Sequence, residues 1–308
     1  MVWAAIYFIS NIGKGDSYDE KLARELVSIA SISYCEQDEQ ITLSCGIHCD
    51  RLKEAGYTLL KSNTIQSTPF GGESYVIFYS KSKNRLVAAF RGTQNVLELL
   101  GEIFNSYSLE YELQPDVDDA RVQGYFYTQY SVFMRTPFLE DMKAMKAKYS
   151  SADFFITGHS QGGAKATLAA LDLVGSNVFK KDEFIVYTFG SPRVGNYEFA
   201  KLYRKQGPKT YRVVNNNDMV PHFPPCYLDK GQCVQEPDFD ESMLFWCPYH
   251  VDEEVFYTNS NMSNQAYEFC SNEDMRCSNK YSIFNGSILS HLQYFAEPVT
   301  CSKTPMRI

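Results

Sequence analysis

Gly158-His159-Ser160-Gln161-Gly162 sets a serine between two glycines. A serine hydroxyl becomes a nucleophile when its oxygen stands clear of the chain, a base can take its proton and N–H groups face the oxyanion it creates. The pentapeptide suits the first and last of these. It follows a short apolar and aromatic run, Asp153–Thr157, and opens an alanine-rich stretch from Gln161 to Val174. Read as strand, sharp turn and helix, it has the form of a nucleophile elbow. Glycines at 158 and 162 let neighbouring backbone pass where a Cβ would collide. The helix start turns unpaired N–H groups toward Ser160. An ordinary strand–turn–helix can carry the same five residues, so a base and a carboxylate must be found elsewhere.

On a sheet of this kind the order is serine, acid, histidine. Asp218 follows the apolar run Tyr211–Val214 through Asn215-Asn216-Asn217. That puts it at the carboxyl end of a strand, where open α/β sheets build their sites. Asp172 falls mid-helix and Asp182 in a surface turn, so both compete poorly. Of the five histidines, His48 and His159 precede the serine and His222 lies only four residues past Asp218. His250 and His291 remain, and residue chemistry does not separate them.

Elements must position these groups. Ala23, Leu26, Val27 and Ala30 recur at helical spacing, which predicts a helix over 16–34. Residues 35–72 read as loop-rich. Tyr75–Tyr79 and Arg85–Phe90 read as a hairpin around a polar turn. Residues 122–149 read as mostly helical, with Pro137 at a start or a kink. Strands at Asp153–Thr157, Glu183–Phe189 and Tyr211–Val214 alternate with helices at 161–174 and 197–206. That alternation predicts an α/β fold with a mostly parallel central sheet flanked by helices. Residues 221–282 read as loops, and a last helix is expected over 287–295.

Apolar residues make up 44% of the 308-residue chain, enough for one large core. The whole chain, 1–308, is therefore read as a single domain. Its net charge of −8, without a basic block, argues against nucleic acid or an anionic membrane held by charge. No apolar stretch is long enough for a transmembrane segment. Residues 1–15 read either as a signal remnant or as a buried first segment. Nine cysteines lie toward the two ends and none between Cys49 and Cys226. A stapled periphery around a thiol-free middle suits a secreted or lumenal protein. No metal site is expected, since neither a C-x-x-C pair nor an H-E-x-x-H run occurs. The odd count leaves at least one thiol without an intrachain partner.

AAFRGT (Ala88–Thr93), TGHSQGGA (Thr157–Ala164), YTFGSPRVGN (Tyr187–Asn196), NNNDMVPHFPP (Asn215–Pro225), YHVDEEVFY (Tyr249–Tyr257) and SHLQYF (Ser290–Phe295) occur in this order. Together they resemble the class 3 lipase family, the fungal-type triacylglycerol lipases and their animal relatives. The resemblance implies an α/β-hydrolase fold with a helical lid. It implies Ser160 as nucleophile, Asp218 as acid and His291 as base, with His250 in a second motif that is not the base. Thr93 and Gln161 would supply the oxyanion N–H groups. Gln161 and Lys165 stand where many relatives carry leucine. An ammonium at 165 calls for an exit to solvent, so that helix face is expected to be less buried.

Val96, Leu99, Leu100 and Ile103 repeat at helical spacing, with Leu97 and Phe104 widening the stripe. Placed directly after the oxyanion residue, this stripe is expected to be the lid. The family further implies disulfides Cys35–Cys301, Cys45–Cys49 and Cys270–Cys277. Among Cys226, Cys233 and Cys247, one pair and one free thiol is the simplest outcome. The expected activity is hydrolysis of lipid esters at an oil–water or membrane interface, without metal or organic cofactor. A phospholipase A1, a feruloyl-type esterase and an inactive lipid-binding relative are the alternatives. The sequence assigns no oligomeric state.

Overall fold

A computed structural model describes residues 18–65, 73–93, 95, 101, 103, 108–110, 119–226, 228–229, 232–233, 248–263, 266–281 and 284–301. The segment 1–15, Cys247 and the stripe residues Val96, Leu97, Leu99, Leu100 and Phe104 lie outside the described residues.

The frame is an eight-stranded sheet. Its strands are β1 (Tyr57–Ile65), β2 (Glu73–Ser80), β3 (Arg85–Phe90), β4 (Asp153–His159), β5 (Phe184–Phe189), β6 (Thr210–Asn215), β7 (Glu253–Tyr257) and β8 (Tyr267–Cys270), lying side by side in chain order. From β3 to β7 all neighbours are parallel, while β1, β2 and β8 pair antiparallel at the two edges.

Alternation along each strand divides the core in two. Leu86, Ala88, Phe90, Phe154, Ile156 and Val186 face the layer built by α2 (Arg135–Lys148), α3 (Gln161–Gly175) and α4 (Tyr197–Gln206). Val87, Ala89, Phe155, Tyr187 and Phe189 face α1 (Glu20–Ile32). A strand covered on both faces must be apolar throughout, which is why β4 reads as a continuous apolar run. Asp19 caps α1 by accepting from the N–H groups of Lys21 and Leu22 at 2.9 and 3.1 Å.

The chain departs from the expected elements where local pattern is weak. Residues 35–65 hold helices at Gln37–Thr42 and Ile47–Glu54 and the edge strand β1 instead of loop. β1 is half-exposed with little alternation, as an edge strand with few apolar residues must be. β7 and β8 lie inside the stretch expected to be loop. The buried carboxylate of Glu254 breaks the apolar run of β7. Gln129–Met134 is a π-helical turn between Gly124–Thr128 and α2. The last helix is only Ile288–His291.

Four disulfides staple the periphery: Cys35–Cys301, Cys45–Cys49, Cys226–Cys233 and Cys270–Cys277. The first joins the segment after α1 to the last described residue, 266 positions on. Among the described residues no helix is long and apolar enough to cross a membrane.

Candidate active site

Ser160 sits between β4 and α3 with φ +60° and ψ −134°. A side chain tolerates this region only under constraint. The constraint is the close approach of β4 and α3 at the turn. A Cβ on Gly158 would fall 2.2 Å from the Gly162 carbonyl oxygen, and one on Gly162 would fall 2.2 Å from that of Phe90. The glycine spacing in the sequence therefore has a steric cause.

Asp218 and His291 come from segments 73 residues apart. His291 Nδ1 lies 3.0 Å from each carboxylate oxygen of Asp218, so it carries the hydrogen and donates. Its Nε2 is thereby left as a lone-pair site. Tyr294 O–H donates to Asp218 Oδ2 at 2.7 Å and the Val220 N–H to Oδ1 at 2.9 Å. Burial alone would raise the Asp218 pKa. The facing His291 and the donors His291, Tyr294 and Val220 outweigh it and hold the carboxyl below its ordinary range. Burial and the neighbouring Asp218 raise the Tyr294 phenol well above its ordinary value, so it remains a donor.

The histidine loop is pinned by the asparagine run that precedes Asp218. Asn215 Nδ2 donates to the carbonyls of Ser290 and Gln293 at 3.1 and 2.7 Å. Asn217 accepts from the Ser287 N–H on its carbonyl and from the Ser290 hydroxyl on its side chain, both at 2.8 Å. Three further residues complete the pocket. The His159 ring stacks on His291 with centroids 4.5 Å apart, and its Nε2 donates to the His291 carbonyl at 2.8 Å. Its Nδ1 accepts from the Tyr34 hydroxyl at 3.1 Å. Burial and the nearby His291 push the His159 imidazole down to about 3, so it stays neutral. Gly190, at φ +56°, leaves room for the pair: a Cβ there would meet Asp218 Oδ2 at 2.5 Å and His291 Nδ1 at 2.8 Å.

Sequence reasoning passed over Tyr34, His159, Gly190, Asn215, Asn217 and Tyr294 as members of the site. The Asn-Asn-Asn run and the Gly-Ser-Pro turn after β5 were the available signals. Ser160 Oγ and His291 Nε2 are both buried and, among the described residues, without a hydrogen-bond partner. Both remain free for proton transfer.

Gln161 opens α3, so its N–H is one of the four that a helix leaves unpaired at its start. Thr93 follows β3 and is half-buried. Ile103 is helical and buried, and its carbonyl accepts from Gln123 Nε2 at 2.9 Å. His250 is buried elsewhere, with Nε2 on the Pro221 carbonyl at 2.9 Å.

The expectation for Lys165 needs correction. Its side chain is 1% exposed and ion-paired with Glu73 at the start of β2, itself 5% exposed. Gln161 donates to Gln129 of the π-helical turn one helix turn earlier. The ammonium escapes the cost of burial by pairing and not by reaching water. Two groups of potential metal ligands, Cys35/Glu39/Cys301 and Cys226/Cys233/Glu273, have their cysteines joined as disulfides, which leaves one carboxylate in each.

A serine on a strained strand–helix turn, with a carboxylate-bound imidazole on an α/β sheet, defines a serine-type carboxylic ester hydrolase of the α/β-hydrolase class. Residues 87–228 match the family model described as lipase (class 3). It is 27% identical over 301 residues to Lipase ZK262.3 of Caenorhabditis elegans, covering 92% of this chain and 80% of that protein. It is 28% identical over 272 residues to a lipase of Rhizomucor miehei, covering 87% of this chain and 66% of that one. The structure of a fungal lipase–inhibitor complex, from which a model for interfacial activation in lipases was drawn, superposes with a TM-score of 0.72. It is 25% identical and covers 92% of this chain and 96% of its own.

Proposed function

We propose that this protein is a secreted lipase, a single α/β-hydrolase domain cleaving ester bonds of lipids, triacylglycerols foremost. Ser160 Oγ attacks the acyl carbonyl while His291 Nε2 takes its proton. Asp218 holds the Nδ1–H and balances the imidazolium charge. The N–H groups of Thr93 and Gln161 receive the oxyanion. His291 then protonates the leaving alcohol, and a water molecule, deprotonated by the same nitrogen, releases the fatty acid from Ser160. The observation that carries this reading is the pair of partnerless buried atoms, Ser160 Oγ and His291 Nε2, beside a histidine anchored on both oxygens of Asp218. Four disulfides support a route outside the reducing cytosol.

The apolar stripe from Val96 to Phe104 is the lid in this reading. Each large aliphatic side chain it hides from water is worth about 1.5–3 kcal/mol, so opening in water is costly until a lipid surface takes the stripe. Emulsified triglyceride, phospholipid vesicles and short soluble esters assayed side by side, with Ser160→Ala as blank, test the proposal. Activity should climb steeply once triglyceride passes its solubility limit. Leu99→Ser with Leu100→Ser should hold or raise soluble-ester activity and lower activity on emulsion. A preference for phospholipid would make the enzyme a phospholipase A1. No jump at the limit would leave a soluble esterase. Absence of any Ser160-dependent turnover would sink the enzymatic reading.

A further inference from the structure

Beyond Asp218 the chain leaves the sheet in a turn, Met219–Pro225. The Val220 N–H in this turn binds Asp218 Oδ1 at 2.9 Å, so the aim of the carboxylate depends on where the turn lies. Three of its carbonyls are gripped from outside. Phe223 O accepts from the Arg193 N–H at 2.8 Å and Pro224 O from Arg193 Nη1 at 3.2 Å. Pro221 O accepts from His250 Nε2 at 2.9 Å.

Both grips are fastened to one carboxylate. Glu273 Oε1 accepts from Arg193 Nε at 3.0 Å and from the His250 N–H at 2.8 Å. Its Oε2 accepts from Arg193 Nη2 at 2.8 Å and Asn279 Nδ2 at 2.6 Å. The side chains of Arg193 and Glu273 are 2% and 3% exposed. Burying such a pair costs more than burying apolar residues of equal volume, unless a defined geometry is gained. Four charge-assisted donors on one carboxylate fix that geometry. The loop that carries Glu273 is closed at both ends by Cys270–Cys277.

We propose that Glu273 is a positioning residue for Asp218, acting through Arg193 and His250 on the carbonyls of the turn that follows the acid. The inference rests on the serine-hydrolase reading of Ser160, Asp218 and His291. Relaxing Glu273 lets the turn shift, moves the Val220 N–H and turns the carboxylate away from His291 Nδ1. A misplacement of about 1 Å near reacting groups is enough to cost on the order of a hundredfold in rate.

Glu254 is the internal control. Its side chain is equally buried, at 1% exposed, and it pairs with Arg212 at 3.7 Å and accepts from the Ser278 N–H at 3.0 Å, away from the turn. Glu273→Gln and Glu254→Gln are compared in the full-length chain. The readouts are kcat and KM on a soluble ester, the rate of fluorophosphonate labelling at Ser160, and the low-field proton resonance of the His291 Nδ1–H. Glu273→Gln should lower kcat and labelling together by about ten- to a hundredfold, with KM moved less than about threefold. It should also shift the low-field resonance, and Glu254→Gln should change none of the three. Should Glu273→Gln fail to fold, Arg193→Lys, which gives up the two-pronged pair and the Pro224 contact, carries the same expectation. Unchanged kcat and resonance in the Glu273 variant, or an equal loss from Glu254→Gln, overturns the proposal. A wild-type protein that fluorophosphonate does not label overturns the serine-hydrolase reading itself.

Discussion

Two buried pairs of acid and base flank the nucleophile turn, and they have different ends. Asp218 and His291 hold each other at 3.0 Å, with every polar atom of the two side chains engaged except His291 Nε2. Lys165, on α3, and Glu73, at the start of β2, are closed on each other. In both, burial disfavours charge: it pushes the Lys165 ammonium down and would push Asp218 up. What separates them is that His291 Nε2 has no partner among the described residues, whereas Lys165 Nζ has Glu73. A buried polar group left without a partner costs about 1–3 kcal/mol. Ser160 Oγ, like His291 Nε2, has none among the described residues. The ammonium is held by the Glu73 carboxylate, so we read that pair as scaffold.

The contrast breaks most visibly through Ser160 and His291. Ser160→Ala and His291→Ala should each lower kcat by about 10⁴ to 10⁶ while the fold survives, measured on a soluble ester with unfolding followed in parallel. His250→Ala should keep activity per folded molecule within about a hundredfold of the native chain, since its ring bonds the turn beyond the acid and no reacting atom. Should His250→Ala be dead and His291→Ala active, the base is misassigned.

The scaffold pair predicts the opposite signature. Lys165→Met leaves the Glu73 carboxylate buried and unpaired, so stability should drop by about 3–5 kcal/mol in denaturant titration. Replacing both residues with leucine should recover most of that loss. Activity per folded molecule should stay within about threefold throughout, as no reacting atom has lost a partner. A fall in kcat at full stability would move Lys165 into the chemistry.

The smallest effect is expected at Tyr294. Tyr294→Phe removes one donor to a buried carboxylate, worth about 1.5–3 kcal/mol. The sign with pH follows from the depressed carboxyl. Asp218 contributes stability that is present above its unfolded-state pKa and is lost as pH falls through the lower folded-state value. Without the phenol the folded value rises, so acid unfolding of the Tyr294→Phe chain, followed in a Ser160→Ala background, should begin at higher pH. An unchanged acid transition would mean that the phenol adds nothing to the carboxylate.

Much of the site is legible from local pattern. An elbow is a property of seven or so consecutive residues: a two-sided apolar strand, glycines where backbone crosses and an alanine-rich helix. Asp218 is legible because strand ends in α/β sheets are where sites form. The bases are another matter. Residue chemistry does not separate His250 from His291, and only the resemblance to a family chose between them.

Sequence alone determined the order of strands and helices through the middle of the chain and the glycine-spaced turn around Ser160, because each follows from neighbours within one element. Tertiary structure alone decided what Lys165 pairs with, which residues brace Asp218, and how 57–65 and 253–270 join the sheet as strands. The stability of those features comes from partners tens to hundreds of residues away. A lysine reads as exposed until a carboxylate from another strand meets it, and an edge strand with little alternation reads as loop until its neighbour supplies the hydrogen bonds.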